Sequence, residues 1–111
     1  MNRPLRLLPE AEQELEGAYR WYESQRVGLG FEFLLAFDAA IEGIRRRPQS
    51  REIVARRTRR VLLRRFPYSV LYAIDAQTIL VTAVFHTHRD PQKWSDRVRE
   101  SVPQRGEYSF A

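Results

Sequence analysis

Apolar residues recur along this chain with two different periods, and the change of period divides it in two. Between Pro9 and Gln25, the residues Ala11, Leu15, Ala18, Tyr19 and Tyr22 fall three or four apart, the spacing of one helical face. Pro9 suits the first helical position, where a missing amide hydrogen loses no bond. Glu10, Glu12 and Glu14 complement the positive end of the helix dipole. Gly28 and Gly30 predict a stop near Gln25 and a short connection. From about Gly30 a second stripe runs through Phe33, Leu34, Phe37, Ile41 and Ile44, and Pro48 closes it. Two amphipathic helices joined this way predict an antiparallel hairpin.

Beyond Pro48 the period falls to two. Arg60 to Phe66 holds Val61, Leu62 and Leu63 between arginine pairs and predicts a short strand. Tyr68, Val70, Tyr72 and Ile74 share one face of a second strand, and Pro67 falls between the two, where a missing amide donor does least harm. After a turn at Asp75-Ala76-Gln77, Thr78 to His86 is the most β-prone segment. Arg3 to Leu8 alternates weakly and predicts a first strand. The order β-α-α-β-β-β implies an α+β domain, with both helices on one face of an antiparallel sheet. One domain is expected over residues 1–99, followed by an extended or disordered polar tail over 100–111.

Composition narrows the function classes. A chain of 111 residues with 43% apolar content has room for one core. The absence of cysteine excludes a disulfide framework, thiol chemistry and cysteine-ligated zinc. No run approaches the roughly 18 apolar residues of a membrane span, and Met1 to Pro9 lacks the features of a secretory signal. A cytoplasmic protein with no membrane partner and no cofactor is expected.

Charge is distributed unevenly. From Glu10 to Glu42 eight acids face only Arg20 and Arg26, whereas Gly43 to Arg65 carries ten arginines and one acid, Glu52. The result is a dipolar molecule with one strongly positive zone. Lys93 is the only lysine. Arginine's planar fork suits phosphate and carboxylate, although a genome rich in G and C would produce the same preference.

Laid out in this way, the chain resembles the RelE/ParE toxin superfamily of type II toxin–antitoxin systems. The resemblance is carried by Ala11-x-x-x-Leu15, Tyr22, Leu29-Gly30 with Phe33, and Pro48. It continues through Arg64-Arg65-Phe66-Pro67-Tyr68 into Val70 and Tyr72, then Ala83-Val84-Phe85-His86, and ends at Arg89-Asp90-Pro91 with Trp94. The ParE-like branch, often labelled plasmid stabilisation protein, fits better than the RelE branch. Membership implies a toxin neutralised by a co-expressed antitoxin whose C-terminal segment wraps it. It also implies one of two targets: DNA gyrase for ParE-like members, or messenger RNA in the ribosomal A site, cleaved by RelE-like members.

The RelE-like nucleases use lysines, arginines and a tyrosine projecting from the sheet. Here Ser69 stands where they carry an arginine after Tyr68, Thr87 falls at or near another, and Leu62 replaces a base between Arg60 and Arg64. These departures favour a non-enzymatic gyrase inhibitor. The alternative, a ribosome-dependent endoribonuclease, would rest on Arg60, Arg64 and His86. In that case His86 and His88, about 7 Å apart on one side of a strand end, could divide acid and base duties. Their other reading is hydrogen-bonded structural histidines. With no third histidine and Asp90 as the only nearby carboxylate, no metal site is expected.

For target or antitoxin binding the candidates are Arg56, Arg57, Arg59, Arg60, Arg64, Arg65, His88, Arg89 and Trp94. The arginine run can also be read as a solvated strand edge whose charges discourage aggregation, and Trp94 as a core residue. The antitoxin segment is expected across the helical hairpin or the sheet edge, acidic where it meets the arginines.

Overall fold

The computed structural model describes residues 3–75 and 77–89. Its elements are β1 (Leu5–Leu7), α1 (Pro9–Gln25), α2 (Leu29–Arg46), a single 3-10 turn (Pro48–Ser50), β2 (Glu52–Ala55), β3 (Thr58–Leu62), β4 (Tyr68–Ile74) and β5 (Ile79–His86).

The helical hairpin follows the sequence pattern closely, and its turn is held by a contact that periodicity does not show. Gly28, at φ 92°, takes the left-handed conformation that swings the chain into α2. The Glu23 carboxylate then accepts hydrogen bonds from the amides of Gly28 (3.0 Å) and Gly30 (2.9 Å). It thereby satisfies two donors at the start of α2 and places negative charge at the positive end of the dipole. Glu23→Ala is expected to cost about 1 kcal/mol, the usual cost of losing a helix cap, read as a lowered urea midpoint at unchanged slope. The helices approach so closely here that a Cβ on Gly30 would lie 2.8 Å from the Tyr19 ring and carbonyl oxygen.

Among the described residues the sheet has five strands in the order β1-β5-β4-β3-β2. It departs from the expected antiparallel sheet at one edge, because β1 pairs parallel to β5. The helical hairpin supplies the crossover that a parallel pair requires. It also returns the chain to the far edge, so that β2 to β5 run back as an antiparallel meander.

Two further points differ from the sequence reading. Glu52–Ala55 forms a strand that the apolar pattern does not predict, joined to β3 by a turn with Arg56 at φ 50°. The strand predicted over Arg60–Phe66 instead starts at Thr58 and ends at Leu62. The next residues belong to the β3–β4 turn, with Arg65 at φ 71°.

Both helices pack on one face of the sheet. Phe33 stacks on Tyr22 and meets Phe66 and Tyr68 edge to face, with centroids 5.2 to 5.4 Å apart. Val70, Tyr72, Val81 and Val84 complete this core, while Leu71, Ala83 and Phe85 occupy the opposite face with Val54 and Ala55.

Tyr72 is fully buried, and its hydroxyl donates to the Pro48 carbonyl at 2.6 Å. Burial pushes its pKa up to about 12. Because the folded state holds this proton more tightly than the unfolded chain, its stabilisation is complete below about pH 10 and is lost as pH rises towards 12. Ultraviolet titration should show one tyrosine ionising late, together with unfolding.

Candidate partner-binding margin

The ten-arginine zone folds into the β2–β3 hairpin, the β3–β4 turn and the end of α2, along one edge of the sheet. Alternation on β3 splits it between two faces. Arg59 lies opposite Tyr72 on the helix side, and its Nη1 donates to the carbonyls of Gln49 (3.1 Å) and Arg51 (2.7 Å). Arg60 lies opposite Leu71 on the other face, and its Nη2 donates to the Glu52 carboxylate at 3.1 Å. At the hairpin tip, Arg57 Nη2 donates to the Ile74 carbonyl at 3.2 Å.

Arg65 reaches Glu32 on α2 at 2.9 Å, and Arg26 approaches the same carboxylate at 3.5 Å. The hydrogen bond from Arg65 is the main cause holding the Glu32 carboxyl below its usual range. Sequence reasoning missed Glu32 and Glu52 as internal counter-ions, since a pair 33 residues apart leaves no local signal.

These two carboxylates do not neutralise the margin. Among the described residues, Arg46, Arg51, Arg56 and Arg64 form no ion pair, and all four are exposed. What remains is a band of fixed positive charge, able to bind carboxylates or phosphates and subject to screening by salt.

The histidines lie elsewhere, at the far end of β5. Only His86 is on the strand; His88 follows in a turn, with its amide donating to His86 Nδ1 at 3.2 Å and the rings 6.2 Å apart. Arg89 Nη2 donates to the Tyr68 hydroxyl at 3.2 Å, and Tyr68 meets the His86 ring edge to face. Burial raises the pKa of the neighbouring Tyr22. His86, His88, Arg89 and Tyr68 thus form one group where β5 ends beside the start of β4.

The trio Arg60, Arg64 and His86 is not assembled, because the Arg60 guanidinium is held by Glu52 on β2 while His86 ends β5. On the sheet face away from the helices, the Ser69 and Thr87 hydroxyls bond each other at 3.1 Å. Trp94 and Asp90 lie outside the described residues. Among the described residues, no group of three or more His, Asp or Glu side chains could hold a metal ion, and no helix is long and apolar enough to cross a membrane.

Over residues 5–91 the chain matches the family described as the ParE toxin of the type II toxin–antitoxin system parDE. The chain belongs to the ParE toxin family. The fold agrees. Among solved structures, it is similar to a chain of the "Chromosomal ParDE TA system from P. aeruginosa", with a TM-score of 0.68 and 14% identity. That match covers 76% of this chain and 95% of the other. No curated protein matches. For a ParE-family toxin, the margin and the β5-end cluster are the two polar features that need a role.

Proposed function

We propose that this ParE-family chain inhibits DNA gyrase by binding, without chemistry of its own, and is held inactive in the cytoplasm by a cognate antitoxin. Family membership supplies the toxin–antitoxin setting. The choice of target rests on one observation: among the described residues, the sheet face where the related nucleases work carries no assembled chemistry. Two positions that resemblance would fill with arginine are Ser69 and Thr87, each satisfied by the other's hydroxyl. Between Arg60 and Arg64, Leu62 presents an exposed apolar side chain. General acid–base catalysis of RNA cleavage needs groups that reach a 2′-hydroxyl, a leaving oxygen and a phosphorane together. Arg60, bound to Glu52, and His86, across β4, do not converge in that way.

Binding, by contrast, needs only a surface. The unpaired arginines of the margin, with Arg57, Arg59, Arg60 and Arg65 around them, present donors in fixed planes to an anionic partner. His88 and Arg89 add a second basic point at the end of β5.

Cells induced to express the toxin provide the test. DNA breaks trapped on gyrase are expected, with growth arrest intact in His86→Ala and no codon-phased messenger RNA ends. Codon-phased cuts that disappear in His86→Ala would replace this reading with the nuclease.

A further inference from the structure

The arginine margin is long and nearly continuous. β3 runs along it for five residues, a length of about 17 Å at about 3.3 Å per residue. Arg56 and Arg57 stand beyond one end of β3, in the β2–β3 turn, and Arg64 stands beyond the other, in the β3–β4 turn. Arg51 falls between them, because the next residue, Glu52, pairs with Arg60. Arg46 and Arg47 finish α2, and Arg51 lies back over that helix, its Nη2 2.8 Å from where a Cβ on Gly43 would sit.

These six arginines are exposed, and among the described residues none of them forms an ion pair. The scaffold that carries them is held by bonds that leave charge intact. Arg59 donates to the Gln49 and Arg51 carbonyls and Arg57 to the Ile74 carbonyl. A neutral carbonyl orients a guanidinium without cancelling it, so the hairpin is tied to the segment before it and to β4 while the margin stays positive.

What the margin lacks indicates what it fits. Between Arg51 and Arg60, Ile53 is the one exposed large apolar side chain, whereas the core of a protein–protein interface is apolar and poor in charge. No aromatic residue lies between Arg46 and Arg65, so unpaired bases would find nothing there to stack on. A duplex matches better. Each of its strands presents one phosphate for about every 3.4 Å of axis, so about five lie along a line the length of β3. Interfaces with DNA are correspondingly polar and strongly basic.

We propose that this margin binds the phosphate backbone of duplex DNA, without regard to sequence. The inference rests on the proposed action on gyrase for its setting, since that enzyme holds a duplex and a toxin docked there would grip the DNA beside it. Phosphate contacts fix position and orientation but carry no sequence information directly. Base reading is not expected from β2, whose exposed side chains are Glu52, already bound to Arg60, and Ile53.

Anisotropy of a short labelled duplex, titrated with this chain alone, tests the contact in the absence of gyrase. Two unrelated sequences should bind equally well. With about four arginines engaged at once, affinity should fall about 100-fold between about 50 and 200 mM salt, because the slope of log affinity on log salt is about −0.9 per phosphate contact. Arg56→Gln combined with Arg64→Gln removes one contact at each end of β3 and should reduce that fall to about 10-fold. Arg20→Gln, on α1 where Arg20 pairs with Glu16, should leave binding unchanged.

Tighter binding to poly-glutamate or to single-stranded DNA than to the duplex overturns the inference, as does a salt dependence that the double glutamine variant does not alter. Supercoiling by purified gyrase, measured alongside, separates this contact from the proposed target. A chain that inhibits gyrase but does not bind the duplex overturns the DNA contact and leaves the gyrase reading in place. Duplex binding with the expected salt dependence but no inhibition supports the contact and removes the gyrase reading.

Discussion

Phe33→Ala is expected to destabilise the domain by about 3–5 kcal/mol, the range for deleting a large buried aromatic. Phe33 is fully buried on the inner face of α2, where it touches Tyr22 from α1, Phe66 from the β3–β4 turn and Tyr68 from β4. Its removal leaves a cavity bordered by three rings from three elements, none of which can close it without moving the others. Aromatic pairs of this geometry add about 0.5–1.5 kcal/mol each beyond area burial, so the loss belongs at the upper end of the range. A domain of this size has only about 5–15 kcal/mol of net stability, and the variant should be partly unfolded at growth temperature. Chemical denaturation would show a large drop in midpoint. A variant within 1 kcal/mol of the wild type would mean that the hairpin and sheet do not share one cooperative core.

The second large effect belongs to the margin and should leave the fold intact. Arg56, Arg57 and Arg64 are exposed, and none forms an ion pair among the described residues. Converting all three to glutamate removes no internal salt bridge, so thermal stability should change little, as for most surface substitutions. Binding to an anionic surface should fall sharply, because each change replaces attraction by repulsion. Even at about 1 kcal/mol per site, the order of a rim charge, three sites amount to roughly 100-fold.

The defect should narrow as salt rises, since charges separated by more than about 10 Å are screened at 0.1 M. Conservative Arg→Lys changes keep the charge and should restore much of the affinity, unless bidentate geometry is required. A triple variant as toxic as the wild type would show that the margin is only a solvated edge.

The elements that could be read from the sequence are those whose pattern is local. α1 runs from Pro9 to Gln25 and β4 from Tyr68 to Ile74 as the spacing predicts, because each presents a regular apolar face with clear stops. β2 escaped notice because Ile53-Val54-Ala55 is too short to establish a period. Its turn, Arg56-Arg57, also lacks the glycine or asparagine that usually marks a tight hairpin. Leu63 to Phe66 looks strand-like in composition, yet the turn needs Arg65 at positive φ, a conformation that arginine gives no sign of adopting. The direction of β1 depends on where the hairpin delivers the chain, which is a property of the whole topology.

The same division holds for the site. The positive zone is visible as a run of arginines, but its internal neutralisation is not. Glu32 lies 33 residues before Arg65, and only the packing of α2 against the β3–β4 turn brings them together. An open groove between α2 and β3 escaped for the opposite reason. Ala36, Ala39, Ala40 and Gly43 contribute little to a hydrophobic stripe, yet their small size is what opens the space beside Leu62. The histidine pair was readable as two residues on one strand end, but the strand stops at His86 and His88 turns back to hydrogen bond with it.

The most direct measurement is supercoiling of relaxed plasmid by purified gyrase and ATP, titrated with this chain in the absence of ribosomes. Inhibition or trapping of the cleaved complex by the wild type is predicted, together with loss of the effect in the Arg56, Arg57 and Arg64 glutamate variant and its reversal by antitoxin. Full supercoiling activity at saturating folded toxin would contradict the account.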